Sequence, residues 1–242
     1  MKYPRAPITE AVMDIRLQSR DGLSVDELRE LSKGGGGEEF GAVNEQYNIT
    51  AAIVTGSPTA QTTAPTKVGF QFRNAMADKV MQAQLGGWSF SKLAPYDCWE
   101  KFQQQGRELW NAYRAIVQPK QIIRVAVRYI NRLDLPLPVD DFKKYLRTVP
   151  EISPDLSQVL SNFFLQAQIP QLDLEATLVI NMTQVPSPAD TAVSIILDLD
   201  LFRIINIPQD EDGIWEYFEQ LRLRKNIAFE ACITDAMRER FY

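Results

Sequence analysis

The chain of 242 residues contains no histidine. That absence removes imidazole general acid–base catalysis, Ser-His-Asp and Cys-His nucleophiles, and histidine-ligated zinc. Cysteine is almost as scarce. Cys98 and Cys232 are the two present, too few for a zinc site without histidine. Both lie in segments that read as amphipathic helices, where buried free thiols are expected. No stretch approaches the roughly 18 uncharged apolar residues of a spanning helix. The opening Met1-Lys2-Tyr3-Pro4-Arg5-Ala6-Pro7 has neither an apolar run nor a small-residue cleavage site, so a cytoplasmic location is expected. Positive charge is not in excess: Lys+Arg number 26 against 31 Asp+Glu, a net charge of −5. No global pull toward nucleic acid or anionic lipid follows, and neither double-stranded DNA nor a membrane is an expected partner.

What remains is an ordinary globular composition, 45% hydrophobic and 24% charged. Period-2 alternation predicts strands near 9–18, 47–54, 67–74, 79–86, 122–133, 172–183 and 191–205. Helices are predicted near 24–32, where Ser24 and Glu27 form a capping-box pattern, and from Pro95 to about 117, with Trp99, Phe102, Leu109, Tyr113 and Ile116 on one stripe. Further helices are predicted near 139–147, 154–166 and 213–233. Gly34 to Gly37 read as a flexible loop rather than a phosphate cradle, because no Lys-Ser/Thr pair follows them. Strands mixed with long helices, without regular βα alternation, point to an α+β fold with an antiparallel sheet.

The halves echo one another. Val25-Asp26-Glu27-Leu28 parallels Val139-Asp140-Asp141-Phe142 at an offset of 114, and Trp99-Glu100-Lys101-Phe102 parallels Trp215-Glu216-Tyr217-Phe218 at 116. Each half then reads as a pseudo-repeat of strand, short helix, antiparallel strands and long helix, 1–121 and 122–242, packed as one compact unit. The long helices are expected to cover one sheet face and leave the other open.

The open face is where function is sought. In 122–133, Ile123, Val125, Val127, Tyr129 and Leu133 point one way while Arg124, Arg128 and Arg132 point the other. At about 3.3 Å per residue these guanidinium groups form a ridge of roughly 26 Å. Glu10 and Asp14, Gln71 and Arg73, Gln82 and Gln84, Asp173 and Glu175, and Asp198 and Asp200 alternate in the same way. The 114-residue offset lays Glu10 on Arg124 and Asp14 on Arg128, so an internal ion-pair lattice is one expectation. A second is an anion site for a nucleotide, phosphate or single-stranded RNA built from Arg124, Arg128, Arg132 and Arg73 with Glu10 and Asp14 nearby. A third is a Mg²⁺ site of Asp198, Asp200 and Glu175, as a phosphohydrolase needs. Trp88, Phe90 and Tyr96 are expected beneath the long helix rather than on a recognition surface. Arg222, Arg224 and Lys225 read as a solvated basic patch. The segment from Ala231 to Tyr242, ending in Met237, Phe241 and Tyr242, is expected to dock either on the body or across a dimer axis, and the sequence does not choose between them.

Pro7-Ile8-Thr9-Glu10-Ala11, Trp88-Ser89-Phe90 with Pro95-Tyr96 and Trp99, Arg128-Tyr129-Ile130-Asn131, and the stretch from Asn226 to Phe241 together carry a resemblance. The chain resembles a family of uncharacterised bacterial proteins of about 260 residues, the length of one large domain, with a sporadic distribution across genomes. That resemblance brings no catalytic residues with it. Its patchy distribution implies a setting among mobile elements, toxin–antitoxin modules or phage defence. The expectation is therefore a non-enzymatic binding protein without cofactor, able to form a homo-oligomer and acting on a protein partner or small anionic ligand. The alternative is a phosphate-ligand protein or Mg-dependent phosphohydrolase.

Overall fold

The computed structural model describes residues 3–33, 39–48, 51–52, 61–62, 64–157 and 160–242. The glycine run at 34–37 and most of the 55–66 loop lie outside the described residues. The protein is mixed α+β with a large antiparallel sheet of nine strands among the described residues. In chain order the elements are β1 (Ile8–Gln18), β2 (Ala42–Asn48), the two-residue partners β3 (Ala51–Ala52) and β4 (Gln61–Thr62), β5 (Thr66–Arg73), β6 (Lys79–Gln84), β7 (Gly87–Leu93), α1 (Trp99–Val117), β8 (Gln121–Pro136), β9 (Phe164–Gln171), β10 (Ala176–Val185), β11 (Ala192–Arg203), α2 (Glu211–Cys232) and α3 (Asp235–Arg238). No helix among the described residues is long and apolar enough to cross a membrane.

Contacts cluster into two compact units. One comprises Met1–Met13, Lys92–Tyr96 and Arg124–Tyr242; the other comprises Asp14–Ser91 and Asp97–Ile123. In the first, strands are ordered β1-β8-β11-β10-β9. Val125, Val127, Tyr129, Leu133 and Leu135 of β8 and Ile195, Leu197, Leu199 and Leu201 of β11 are buried at alternate positions. Over them α2 buries Ile214, Trp215, Phe218, Leu221, Ala228 and Phe229. Each fully buried side chain of this size contributes about 1.5–3 kcal/mol, so the helix is held by its apolar stripe rather than by propensity. Asp210 caps it, accepting from Gly213 N at 2.8 Å.

In the second unit the order is β2-β5-β6-β7-β1, and α1 lays Phe102 on Phe90 (ring centroids 5.2 Å apart) and Trp110 on Trp88 (5.7 Å). Trp88 and Phe90 therefore sit in the core, as expected. Trp110 and Val117 join the helix stripe, and Ile116 is half-buried. Gly69 must be glycine, because a Cβ there would lie 2.2 Å from the Ala83 carbonyl oxygen of the paired strand.

Several sequence expectations are corrected. The 24–32 helix is a 3-10 helix, Val25–Lys33, in which Glu27 accepts from Ser24 N at 2.8 Å, half of the expected capping box. The 139–147 helix shrinks to a 3-10 turn, Phe142–Lys144, capped by Asp141. The 154–166 segment is not helical where described; β9 begins at Phe164 and pairs with β10. Pro95 follows a cis peptide in the loop before α1, which starts at Trp99, so it is not the first helical residue. Ile122 is buried while Ile123 is 41% exposed, so the core parity of β8 changes before Val125. Asp173 and Glu175 precede β10, in a 3-10 turn and its left-handed cap, rather than on a strand.

Candidate functional site

The charged face of the first unit follows from period-2 side-chain geometry. While odd-numbered β8 residues from Val125 onward enter the core, Arg124, Arg128, Arg132 and Asp134 face away, and on β11 Ser194, Asp198 and Asp200 do the same. The antiparallel register sets Asp200 opposite Arg128 and Asp198 opposite Ile130. Arg128 reaches the diagonal cross-strand carboxylate Asp198, a separation suited to long side chains, whereas Arg124 reaches further along to Asp200 and Arg132 takes Asp134 of its own strand. Arg128 Nε and Nη2 donate to Asp198 Oδ1 and Oδ2 at 2.8 and 2.7 Å, a bidentate fork. Arg124 Nη2 donates to both Asp200 oxygens at 3.3 and 3.0 Å, and its guanidinium lies 4.7 Å from the Phe202 ring centroid. Arg132 Nε donates to Asp134 at 3.0 Å and its Nη2 to Ser194 Oγ at 3.2 Å, while Ser194 donates to Asp134 at 2.5 Å.

The ladder extends sideways. Gln166 Nε2 on β9 donates to Asn181 Oδ1 on β10 at 2.7 Å, and Asn181 Nδ2 donates to Asp198 Oδ2 at 3.1 Å. Four strands thus share one polar relay, Gln166 to Asn181 to Asp198 to Arg128. The Asp198 side chain is 6% exposed and that of Arg128 48%. The hydrogen bonds that Arg128 donates to Asp198 hold its guanidinium above its ordinary range against the opposing effect of burial.

Of the other sequence candidates, Glu10 acts on Arg128 through its charge. Arg73 and Asp14 belong to the second unit, where Arg73 donates to Gln71 at 3.1 Å and Asp14 pairs with Arg16 at 2.9 Å. Glu175 bonds Arg203 and Asn206. Asp198 and Asp200 both face guanidinium groups, and among the described residues no three His, Cys, Asp or Glu side chains are grouped to hold a metal ion.

Sequence reasoning missed Lys225. It is not part of a solvated patch: it is 7% exposed, with Nζ 3.5 Å from the Tyr129 ring centroid and donating to Asn226 Oδ1 at 2.7 Å. Tyr129 in turn shares a 3.1 Å hydrogen bond with Tyr96. Burial first and Arg222 second bring the Lys225 amine down to about 7. The signal was its spacing, four residues after Leu221 and four before Phe229 on the apolar stripe. The two neighbours Arg222 and Arg224 pair with Glu219 and Asp173. Cys98 and Cys232 are free thiols, and Cys232 is buried.

Neither a scan against protein-family models nor a search of curated proteins finds a match for this chain.

Proposed function

We propose that this is a non-enzymatic, cytoplasmic interaction protein of two pseudo-repeats, whose charged sheet face is a self-neutralised ladder rather than an anion or metal site. The observation that carries the reading is the engagement of Asp198. It accepts from Arg128 Nε, Arg128 Nη2 and Asn181 Nδ2 and is nearly buried. A carboxylate so occupied has little capacity left for Mg²⁺. A guanidinium whose fork already holds a carboxylate offers phosphate only its remaining donors.

The duplication is supported by element order. A strand, a short 3-10 segment, antiparallel strands and a long helix occur from β1 to α1 and again from β8 to α2. Trp99 and Phe102 begin α1, Trp215 and Phe218 lie near the start of α2, and all four are buried. We infer from the sequence resemblance that the partner belongs to a mobile-element, toxin–antitoxin or phage-defence system. One observation favours the alternative, a phosphate-ligand protein or Mg-dependent phosphohydrolase: the half-exposed Arg128 side chain.

Thermal denaturation with nucleotides, polyphosphate and short RNA, each with and without Mg²⁺, separates the readings. A self-neutralised ladder predicts no ligand-induced shift, while Arg128→Ala and Asp198→Ala each lower the midpoint by several degrees. A ligand at about 100 times its Kd stabilises by about 2.7 kcal/mol. A rise of that size in the wild type, abolished by an Arg128→Ala protein that keeps its own midpoint, contradicts the proposal.

A further inference from the structure

The outermost strands of the two units differ in how they are guarded. Exposed strand edges carry unpaired N–H and C=O groups, and proteins blunt them with charge, bulges or covering elements. β2, outermost in the second unit, carries Glu45, salt-bridged to Lys67 at 3.4 Å, and a register shift between Gln46 and Tyr47. β9, outermost in the first, reads Phe-Leu-Gln-Ala-Gln-Ile-Pro-Gln, with no charged residue, and its pairing with β10 is unbroken. Phe164 is 68% and Ile169 41% exposed.

The phase of the ladder is fixed by the bond from Gln184 N to Phe163 O, 3.4 Å. Residues that bond a given neighbour alternate along an antiparallel strand. Leu165, Ala167, Ile169 and Gln171 therefore turn their backbone groups to β10, and Phe164, Gln166, Gln168 and Pro170 turn theirs outward. Pro170 fits this phase, because its missing N–H falls on the outer side.

We propose that β9 is a homodimer edge, pairing antiparallel with β9 of a second copy about a two-fold axis at Ala167. In that register Gln166 exchanges both backbone hydrogen bonds with Gln168 of the partner subunit, and the symmetric pair does the same. Each Phe164 N–H meets a Pro170 carbonyl across the axis, so the missing proline N–H falls only at the ends. Side chains match by kind on both faces: glutamine meets glutamine, Leu165 meets Ile169 of the partner subunit, and Ala167 meets its own copy. No charge is brought against a like charge. This self-complementarity, which a two-fold interface requires, selects a second copy over an unrelated strand.

The neighbouring helix adds apolar surface. Arg224 of α2 donates to Gln171 at 2.6 Å, bringing the helix to the end of β9, and Leu223 and Ile227 on that helix are 50% and 63% exposed. Eight residues at about 3.3 Å make a strip of roughly 26 Å. A specific interface needs about 500 Å² per subunit, more than one such strip alone supplies, so the helix surface beside it has to contribute. A concentration-dependent dimer is the consequence.

The test is sedimentation velocity over a dilution series with wild type, Gln166→Lys/Gln168→Lys and Gln166→Lys/Gln168→Glu. The first double variant sets lysine against lysine across the axis and the second sets lysine against glutamate. The wild type and the Lys/Glu variant are expected to dimerise with rising concentration, and the Lys/Lys variant to stay monomeric while keeping, at a dilution where all are monomers, the melting midpoint of the Lys/Glu variant, since both lose the Gln166–Asn181 bond. Amide exchange on the wild type gives a readout free of substitution: the Gln166 and Gln168 amides gain protection with concentration. A wild type that is monomeric throughout, or a dimer in which those amides stay unprotected, overturns the assignment. So does a Lys/Lys variant that dimerises as the wild type does.

Discussion

Arg128 and Tyr129 are consecutive residues of β8, and the two faces they point to treat positive charge in opposite ways. On one, Arg128 is locked into a carboxylate fork and held above its ordinary range. On the other, Lys225 lies over the Tyr129 ring, and burial brings it down to about 7. A charge matched by a neighbouring carboxylate is made permanent, whereas one matched only by a ring face and an amide oxygen becomes conditional on pH.

The largest expected effect breaks the conditional side. In the folded protein Lys225 binds its proton less tightly than in the unfolded chain, where its ordinary value is 10.5. The unfolded state therefore holds more protons between about pH 7 and 10.5, and stability rises with pH through that window. The penalty is fully present below about pH 7. Lys225→Met, which keeps the length and the ring contact without the charge, is expected to stabilise at pH 6 by on the order of 3 kcal/mol and to flatten the rise. Urea denaturation at pH 6, 7, 8 and 9 reads both. Above pH 9 the buried Cys232 thiol, pushed up to about 11, acts in the opposite direction, so the window below it is the informative one.

The next effect breaks the paired side. Arg128→Ala leaves Asp198 buried with Asn181, and a loss of about 2 kcal/mol is expected, below the 3–5 of a fully buried pair because Arg128 is half-exposed. Chemical denaturation at pH 7 checks it. Asn181→Ala removes the relay's middle and should lose about 1 kcal/mol by the same measurement. The smallest change falls in the second unit, where Gln46 donates to Gln82 at 2.9 Å and Gln84 donates to Gln46 at 3.0 Å. Gln82→Ala there should alter stability by about 0.5 kcal/mol or less, since neither partner carries charge.

Much of this contrast was written in local pattern. The alternation of β8 announced both a greasy and a charged face, and the aromatic spacing of α1 announced its covering stripe. What was not legible depended on partners far away in the chain. Leu156, Val159, Leu160, Phe163 and Phe164 recur at helical spacing, yet Phe164 onward takes the strand conformation that pairing with β10 offers. Lys225 sits among arginines that find carboxylates of their own; its spacing places it on the apolar stripe, but the Tyr129 ring that receives its amine comes from a distant strand. The carboxylates at Asp198 and Asp200 were visible as a pair on one face, but their engagement by Arg128 and Arg124 follows from the register of β11 against β8, which no local signal encodes.

The central claim, that the charged face is bound to itself, is tested most directly by a double-mutant cycle on Arg128 and Asp198. Arg128→Met, Asp198→Leu and the double variant would be compared with the wild type in urea at pH 7. The account predicts that the double variant loses less than the sum of the singles, with a coupling of about 1.5 kcal/mol or more. Additive losses would contradict it.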